Sequence, residues 1–198
     1  MLVQGVTGPG GAITVVSGLP RSGTSLMMQM LAAGGMPVLT DGVRRPDEDN
    51  PRGYFEYEPV KHTWADASWV PAAVGRAVKV VHLLLPSLPP GFRYRVLLLD
   101  RDLAEVTASQ QAMLARKGQS LPLPESRLAA VYAEQLADVR RRLAERSDVA
   151  VLEMRHVELV GRPAAAAAAV NAFLGGGLDE TAMAACVVPS LHRNRVRR

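Results

Sequence analysis

The most constraining feature of this chain is a run of β-branched residues that stops abruptly at a glycine. Residues 12–17 read Ala-Ile-Thr-Val-Val-Ser, and Gly18-Leu19-Pro20-Arg21-Ser22-Gly23-Thr24-Ser25 follows directly. A continuous apolar run of this length with no alternation suits a strand buried on both faces, as in a parallel sheet. Leu26, Met27, Met30 and Leu31 then recur at helical spacing over residues 24–34. Strand, glycine-rich turn and helix therefore come in that order. The remainder repeats the alternation. Strands are predicted at 77–82, 94–99 and 149–154. Helices are predicted at 103–117, 125–146, 163–174 and after Asp179, with a short one within 61–76. Residues 35–60, rich in Gly, Pro, Asp and Arg, are predicted as a long loop. Strands alternating with helices give an α/β domain of three layers, a central parallel sheet flanked by helices. At 198 residues the chain is expected to be one domain, with flexible ends at 1–11 and 192–198.

The loop has the chemistry of an anion cradle. A glycine turn between a buried strand and a helix lets backbone N–H groups approach an anion, and the helix N-terminus adds partial positive charge. Arg21 can fork onto phosphate or sulfate oxygens, and Ser22, Thr24 and Ser25 add hydroxyl donors. The pattern is nearly the phosphate loop Gly-x4-Gly-Lys-Ser/Thr, but Thr24 stands at the lysine position. Nucleotide hydrolysis normally needs that lysine on the terminal phosphates.

A second constellation is Arg101-Asp102-Leu103-Ala104-Glu105-Val106-Thr107-Ala108-Ser109. Asp102 and Glu105 form a helix-start capping pair, and the spacing puts Ser109 on the same helix face as Asp102. Arg101 and Ser109 can then share one anion; the alternative is a surface arginine and a solvent-facing serine.

These two segments resemble the nucleotide-binding motifs of sulfotransferases that use 3′-phosphoadenosine 5′-phosphosulfate (PAPS). The resemblance spans about residues 13–190 and is concentrated in the two motifs. It implies a P-loop-type fold and transfer of a sulfuryl group from PAPS to a hydroxyl or amine, leaving adenosine 3′,5′-bisphosphate. It implies that Pro20, Arg21, Ser22, Gly23, Thr24 and Ser25 hold the 5′-phosphosulfate, with Arg21 on the bridging oxygen. Arg101 and Ser109 would hold the 3′-phosphate. Asp102 and Leu103 depart from the usual polar residue and Pro. The family's C-terminal Arg-Lys-Gly segment is not present in that form. Arg193 or Arg195 could stand in, or belong to a solvated tail.

Transfer to a hydroxyl calls for a base, and two candidates stay open. His82 lies at the end of the predicted second strand, three residues after Lys79, where the cytosolic members have a spacing of two. Glu56 ends Asn50-Pro51-Arg52-Gly53-Tyr54-Phe55-Glu56, which is similar to an Asn-Pro-x-Gly-Tyr-x-Glu stretch of bacterial members. Lys79 either neutralises sulfate or snorkels from the sheet. Tyr54, Phe55, Tyr57, Trp64 and Trp69 either line an acceptor pocket or fill a satellite core. The rival readings are a small-molecule kinase of the P-loop class and a non-catalytic nucleotide-binding module.

Composition narrows the partners. Four arginines in the last six residues account for the net charge of +4: without them Lys+Arg falls from 23 to 19, equal to Asp+Glu. A broad nucleic-acid face is not expected, and 5% aromatics argue against a base-stacking platform. Cys186 is the single cysteine, which excludes an internal disulfide and suits a reducing compartment. No secretory pattern opens the chain and no apolar run has membrane-spanning length, so a cytoplasmic location is expected. The four histidines lack metal-site spacing, so no metal is expected. The expected partner is a small-molecule or glycan acceptor. Oligomeric state stays open, a homodimer included.

Overall fold

The computed structural model describes residues 11–47, 50, 52–121 and 123–188. The predicted flexible ends, apart from Gly11, and the basic residues Arg193 and Arg195 lie outside that range. The sheet has five parallel strands in the order β2-β3-β1-β4-β5. These are β1 (Ile13–Gly18), β2 (Val38–Leu39), β3 (Ala77–Lys79), β4 (Tyr94–Asp100) and β5 (Val149–Arg155).

Every residue of β1 is buried, and its side chains alternate between two cores. Ile13 and Val15 join one apolar cluster with Val96, Leu98, Val139 and Leu143, beneath α3 (Glu125–Ala144). Val16 joins the other, with Leu97 and Leu99, beneath α1 (Thr24–Ala33) and α5 (Pro163–Leu174). A strand enclosed on both faces has no polar side to alternate, which explains the unbroken apolar run. The chain builds β2 and β3 on one side of β1 and then crosses to β4 and β5 on the other. The order of the strands therefore reverses between β1 and β4. Open α/β sheets bind ligands at the carboxyl ends of the strands beside such a reversal.

Several expected elements change in extent. The short helix expected in 61–76 is replaced by two 3-10 helices, Glu58–His62 and Val70–Ala73. Pro59 and Pro71 sit in their first turns, and Pro71 lacks the N–H that a longer helix through this segment would need. The strand expected at 77–82 ends at Lys79; Val80 still donates to the Val16 carbonyl at 3.0 Å, and a 3-10 helix begins at His82. The long 35–60 segment contains β2, too short to leave a pattern in the sequence. Helix α4 (His156–Gly161) was not expected; Pro163 opens α5 directly after it. Helices α2 (Leu103–Arg116) and α6 (Glu180–Ala185) start where predicted, capped by Asp102 and Asp179. Among the described residues no helix is long and apolar enough to cross a membrane.

Leu98 is fully buried between β1 and the α3 core. Leu98→Ala is expected to lower unfolding free energy by about 2–5 kcal/mol, the range for emptying a closed core site. Chemical denaturation with an unchanged m-value checks this.

Candidate active site

The turn after β1 is built from backbone that side chains would obstruct. Gly18 has φ of 152°, and a Cβ there would lie 2.5 Å from Ser22 Oγ and 2.6 Å from the Leu99 carbonyl oxygen. Gly23, the N-cap of α1, has φ of 99°; a Cβ there would meet the His156 ring at 2.9 Å. Between them Arg21 takes a left-handed φ of 67°, uncommon for a residue with a side chain. The start of α1 carries no side-chain cap and no acidic residue in its first turn. Its first N–H groups therefore have no intrahelical acceptor. The Ser22 hydroxyl is fully buried and lacks a hydrogen-bond partner. Uncapped N–H groups and a turn whose two glycines leave no room for a Cβ together fit an oxyanion.

The second motif is joined to this turn. Arg21 Nε donates to Ser109 Oγ at 3.1 Å, and Arg101 Nη1 donates to the Arg21 carbonyl at 2.9 Å. The expected Asp102–Glu105 pair is only half made. Asp102 accepts from the Ala104 and Glu105 N–H groups, but the Glu105 carboxylate turns to Arg101 Nε at 3.0 Å. Ser109 is 2% exposed, so it faces the cleft rather than solvent.

A cavity of about 530 Å³ runs across the carboxyl ends of these strands. It is lined by Gly18–Arg21 and Gly23–Leu26, by Arg101 and Ser109, by Lys79, and by Arg44, Tyr54 and Glu56 from the segment before Glu58. Lys79 reaches in from the end of β3. Its Nζ lies 3.3 Å from Ser25 Oγ and 3.1 Å from the Tyr54 carbonyl, so it faces the cradle rather than snorkelling away. Burial pushes its pKa down to about 8, partly offset by Glu56 and reinforced by Arg44 and Arg21.

The two candidate bases part company. Glu56 lines the cavity, with Oε1 at 2.7 Å from Arg44 and 3.9 Å from Lys79. It follows Phe55, whose φ of 53° is the other left-handed non-glycine conformation among the described residues. Such strain in a bulky residue persists only where its surroundings enforce it, and it tends to mark functional sites. His82 is 2% exposed and does not line the cavity; its Nε2 lies 2.9 Å from Gln135 Oε1 on α3. Burial lowers its pKa.

The aromatic group divides likewise. Tyr54 lines the cavity, Tyr57 and Trp69 pack edge to face in the core beneath β3, and Trp64 is 73% exposed. Sequence reading missed Arg44 and His156. Arg44 sits in a loop with no periodicity, and His156 follows a strand whose end could not be placed to the residue. Among the described residues no group of acidic, His or Cys side chains could hold a metal ion.

Lys79 makes the site pH-sensitive. Its pKa in the folded chain lies below the ordinary 10.5, so the folded chain binds fewer protons than the unfolded chain between about pH 8 and 10.5. Stability from this group therefore rises as pH increases through that window. Comparing wild type with Lys79→Met by denaturation at pH 7, 9 and 10 is expected to show the gain only in wild type. Lysine NMR on this three-lysine chain should show one resonance titrating near 8.

No family model matches the chain, and no curated protein matches it. Solved structures do. The sulfotransferase domain from the curacin biosynthetic pathway aligns with a TM-score of 0.51 at 17% identity, covering 85% of this chain and 75% of that one. A sulfotransferase from Alicyclobacillus acidocaldarius aligns at 0.50 and 15% identity, over 86% and 85%. Sulfotransferase STF9 from Mycobacterium avium aligns at 0.54 and 13% identity, over 91% and 67%. With its parallel sheet, reversal point and glycine cradle, this chain has the fold of the bacterial sulfotransferases.

Proposed function

We propose that the chain is a sulfotransferase that moves a sulfuryl group from PAPS to a hydroxyl or amine of a small-molecule or glycan acceptor, and that it works in the cytoplasm. The observation that carries this reading is the linkage of the two anion motifs through Arg21, Ser109 and Arg101. A donor charged at both its 5′ and 3′ positions needs two anion sites held at a fixed separation. A 5′-triphosphate offers nothing to the second site. Thr24 in place of the phosphate-loop lysine points the same way.

In this reading the 5′-phosphosulfate lies in the 18–25 turn, on the first N–H groups of α1 and the hydroxyls of Thr24 and Ser25, which line the cavity while Ser22 is buried beneath it. Arg101 and Ser109 take the 3′-phosphate. The acceptor oxygen attacks sulfur in line. A new S–O bond forms as the bond from sulfur to the bridging oxygen breaks, and its electron pair leaves on adenosine 3′,5′-bisphosphate. Arg21 offsets the charge growing on that bridging oxygen, and Lys79 faces the sulfuryl end. Preorganised donors of this kind act on the transition state because they need no rearrangement as charge develops. Glu56 accepts the acceptor's proton; its place in the cavity favours it over His82.

Arg21→Ala is expected to lower kcat with a smaller change in the KM for PAPS, because the guanidinium acts on charge absent from the ground state. A rise in KM alone would make it a binding residue. Glu56→Gln is expected to cost about 10²-fold or more in kcat, the usual worth of a general base, with PAPS affinity nearly unchanged. His82→Asn is expected to stay within about threefold of wild type. A sulfate-transfer assay with a phenol panel reads both; a Glu56→Gln enzyme at full rate would remove Glu56 as base.

A further inference from the structure

We propose that the acceptor carries an anionic group, a carboxylate or a phosphate monoester, and that Arg44 binds it. The inference rests on the transferase reading of the same cleft. Arg44 comes from the segment between β2 and the Glu58–His62 turn and lines the cavity. Its Nη1 donates to Glu56 Oε1 at 2.7 Å, and its guanidinium carbon lies 3.4 Å from the centre of the Tyr54 ring. That ring is a fixed platform. Tyr54 is 5% exposed, its hydroxyl donates to Asp47 Oδ1 at 2.6 Å, and its carbonyl is held by Lys79. The Arg44 side chain itself remains 39% exposed. A guanidinium stacked on an aromatic face and partly exposed is preorganised for the oxygens of a carboxylate or a phosphate.

The pairing with Glu56 also has a chemical consequence. The charge-assisted bond at 2.7 Å occupies one lone pair of Glu56 Oε1 and holds Arg44 in place. An oxyanion on the acceptor supplies the competing partner, and it draws Arg44 off Glu56 in the complex that needs the base. Glu56 is not then left alone, since Lys61 Nζ lies 3.7 Å and Lys79 Nζ 3.9 Å from its oxygens. Arg52 also lines the cavity, but its Nη1 is engaged with the Cys186 carbonyl at 2.7 Å and ties the segment to the end of α6. The donor's own anions are met on the β1 and β4 side by the cradle, Arg101 and Ser109. Arg44 faces the cavity from the β2 side, next to Glu56.

The test uses three phenols: 3-(4-hydroxyphenyl)propionate, its uncharged primary amide and 4-hydroxyphenyl phosphate. Each is titrated into protein saturated with adenosine 3′,5′-bisphosphate, and each is assayed for sulfation with PAPS. A charge-assisted bond of the usual strength predicts that an anionic probe exceeds the amide by about 10-fold or more in affinity and in kcat/KM. The better of the two anions identifies the acceptor's group. Arg44→Met should shrink that preference to about twofold, and Arg44→Lys should restore part of it, as a monodentate cation would. Equal use of amide and anions by wild type would overturn the proposal, as would a preference that survives in Arg44→Met. Should no probe be sulfated, the titrations decide alone. Charge-dependent binding lost in Arg44→Met would uphold the anion site while counting against the transferase reading. Charge-independent binding would overturn the site.

Discussion

Everything at this site depends on how tightly the backbone turns between Gly18 and Gly23. The carbonyl of Leu99 on β4 and the hydroxyl of Ser22 crowd the Gly18 α-carbon so closely that no side chain fits. That closeness lets the start of α1 point its N–H groups into the cleft. The turn in turn fixes Arg21, whose guanidinium reaches Ser109 on α2 and whose carbonyl accepts from Arg101 at the end of β4. One backbone conformation therefore sets the separation of the two proposed anion sites. The apolar enclosure of β1 holds it still, because a strand packed on both faces cannot shift without opening two cores.

The electrostatics follow from the same geometry. Arg21, Lys79 and Arg101 converge on a concave surface, and Lys79 and Arg101 have their charge partly answered before any ligand arrives. Glu105 answers Arg101, and Glu56 faces Lys79 and Arg44. Lys79 shows the cost of this arrangement in its lowered pKa, since burial first, and then Arg44 and Arg21, disfavour its ammonium form. A bound dianion would reverse that penalty. The left-handed backbone at Arg21 and Phe55 is a second cost, located at a cavity-lining residue and at the residue between the cavity-lining Tyr54 and Glu56.

What the sequence revealed has a physical pattern. The β1–turn–α1 unit and the 101–109 segment were legible because each is local. Glycine at positive φ, an Asp cap and helical spacing all act within a few residues. The alternation of strands and helices was legible for the same reason. His82 was placed at a strand end because Val80 and Val81 continue an apolar run, yet β3 stops at Lys79 and His82 turns inward to Gln135, 53 residues away. Nothing near His82 encodes that contact. Arg44 was invisible because its role comes from stacking on Tyr54 and pairing with Glu56 across an irregular segment that has no period to read. The aromatics of the same region could be counted but not sorted into core and cavity, since burial there is decided by the 3-10 helices that Pro59 and Pro71 impose.

In the proposed function the turn and the Arg101–Ser109 pair form one binding site for a nucleotide phosphorylated at both ends. Calorimetric titration of adenosine 3′,5′-bisphosphate against adenosine 5′-phosphate tests it most directly. The 3′-phosphate is expected to strengthen binding by about 10-fold or more, the worth of a charge-assisted contact, and Ser109→Ala combined with Arg101→Met to remove most of the difference. Equal affinity of the two nucleotides for the wild-type chain would contradict it.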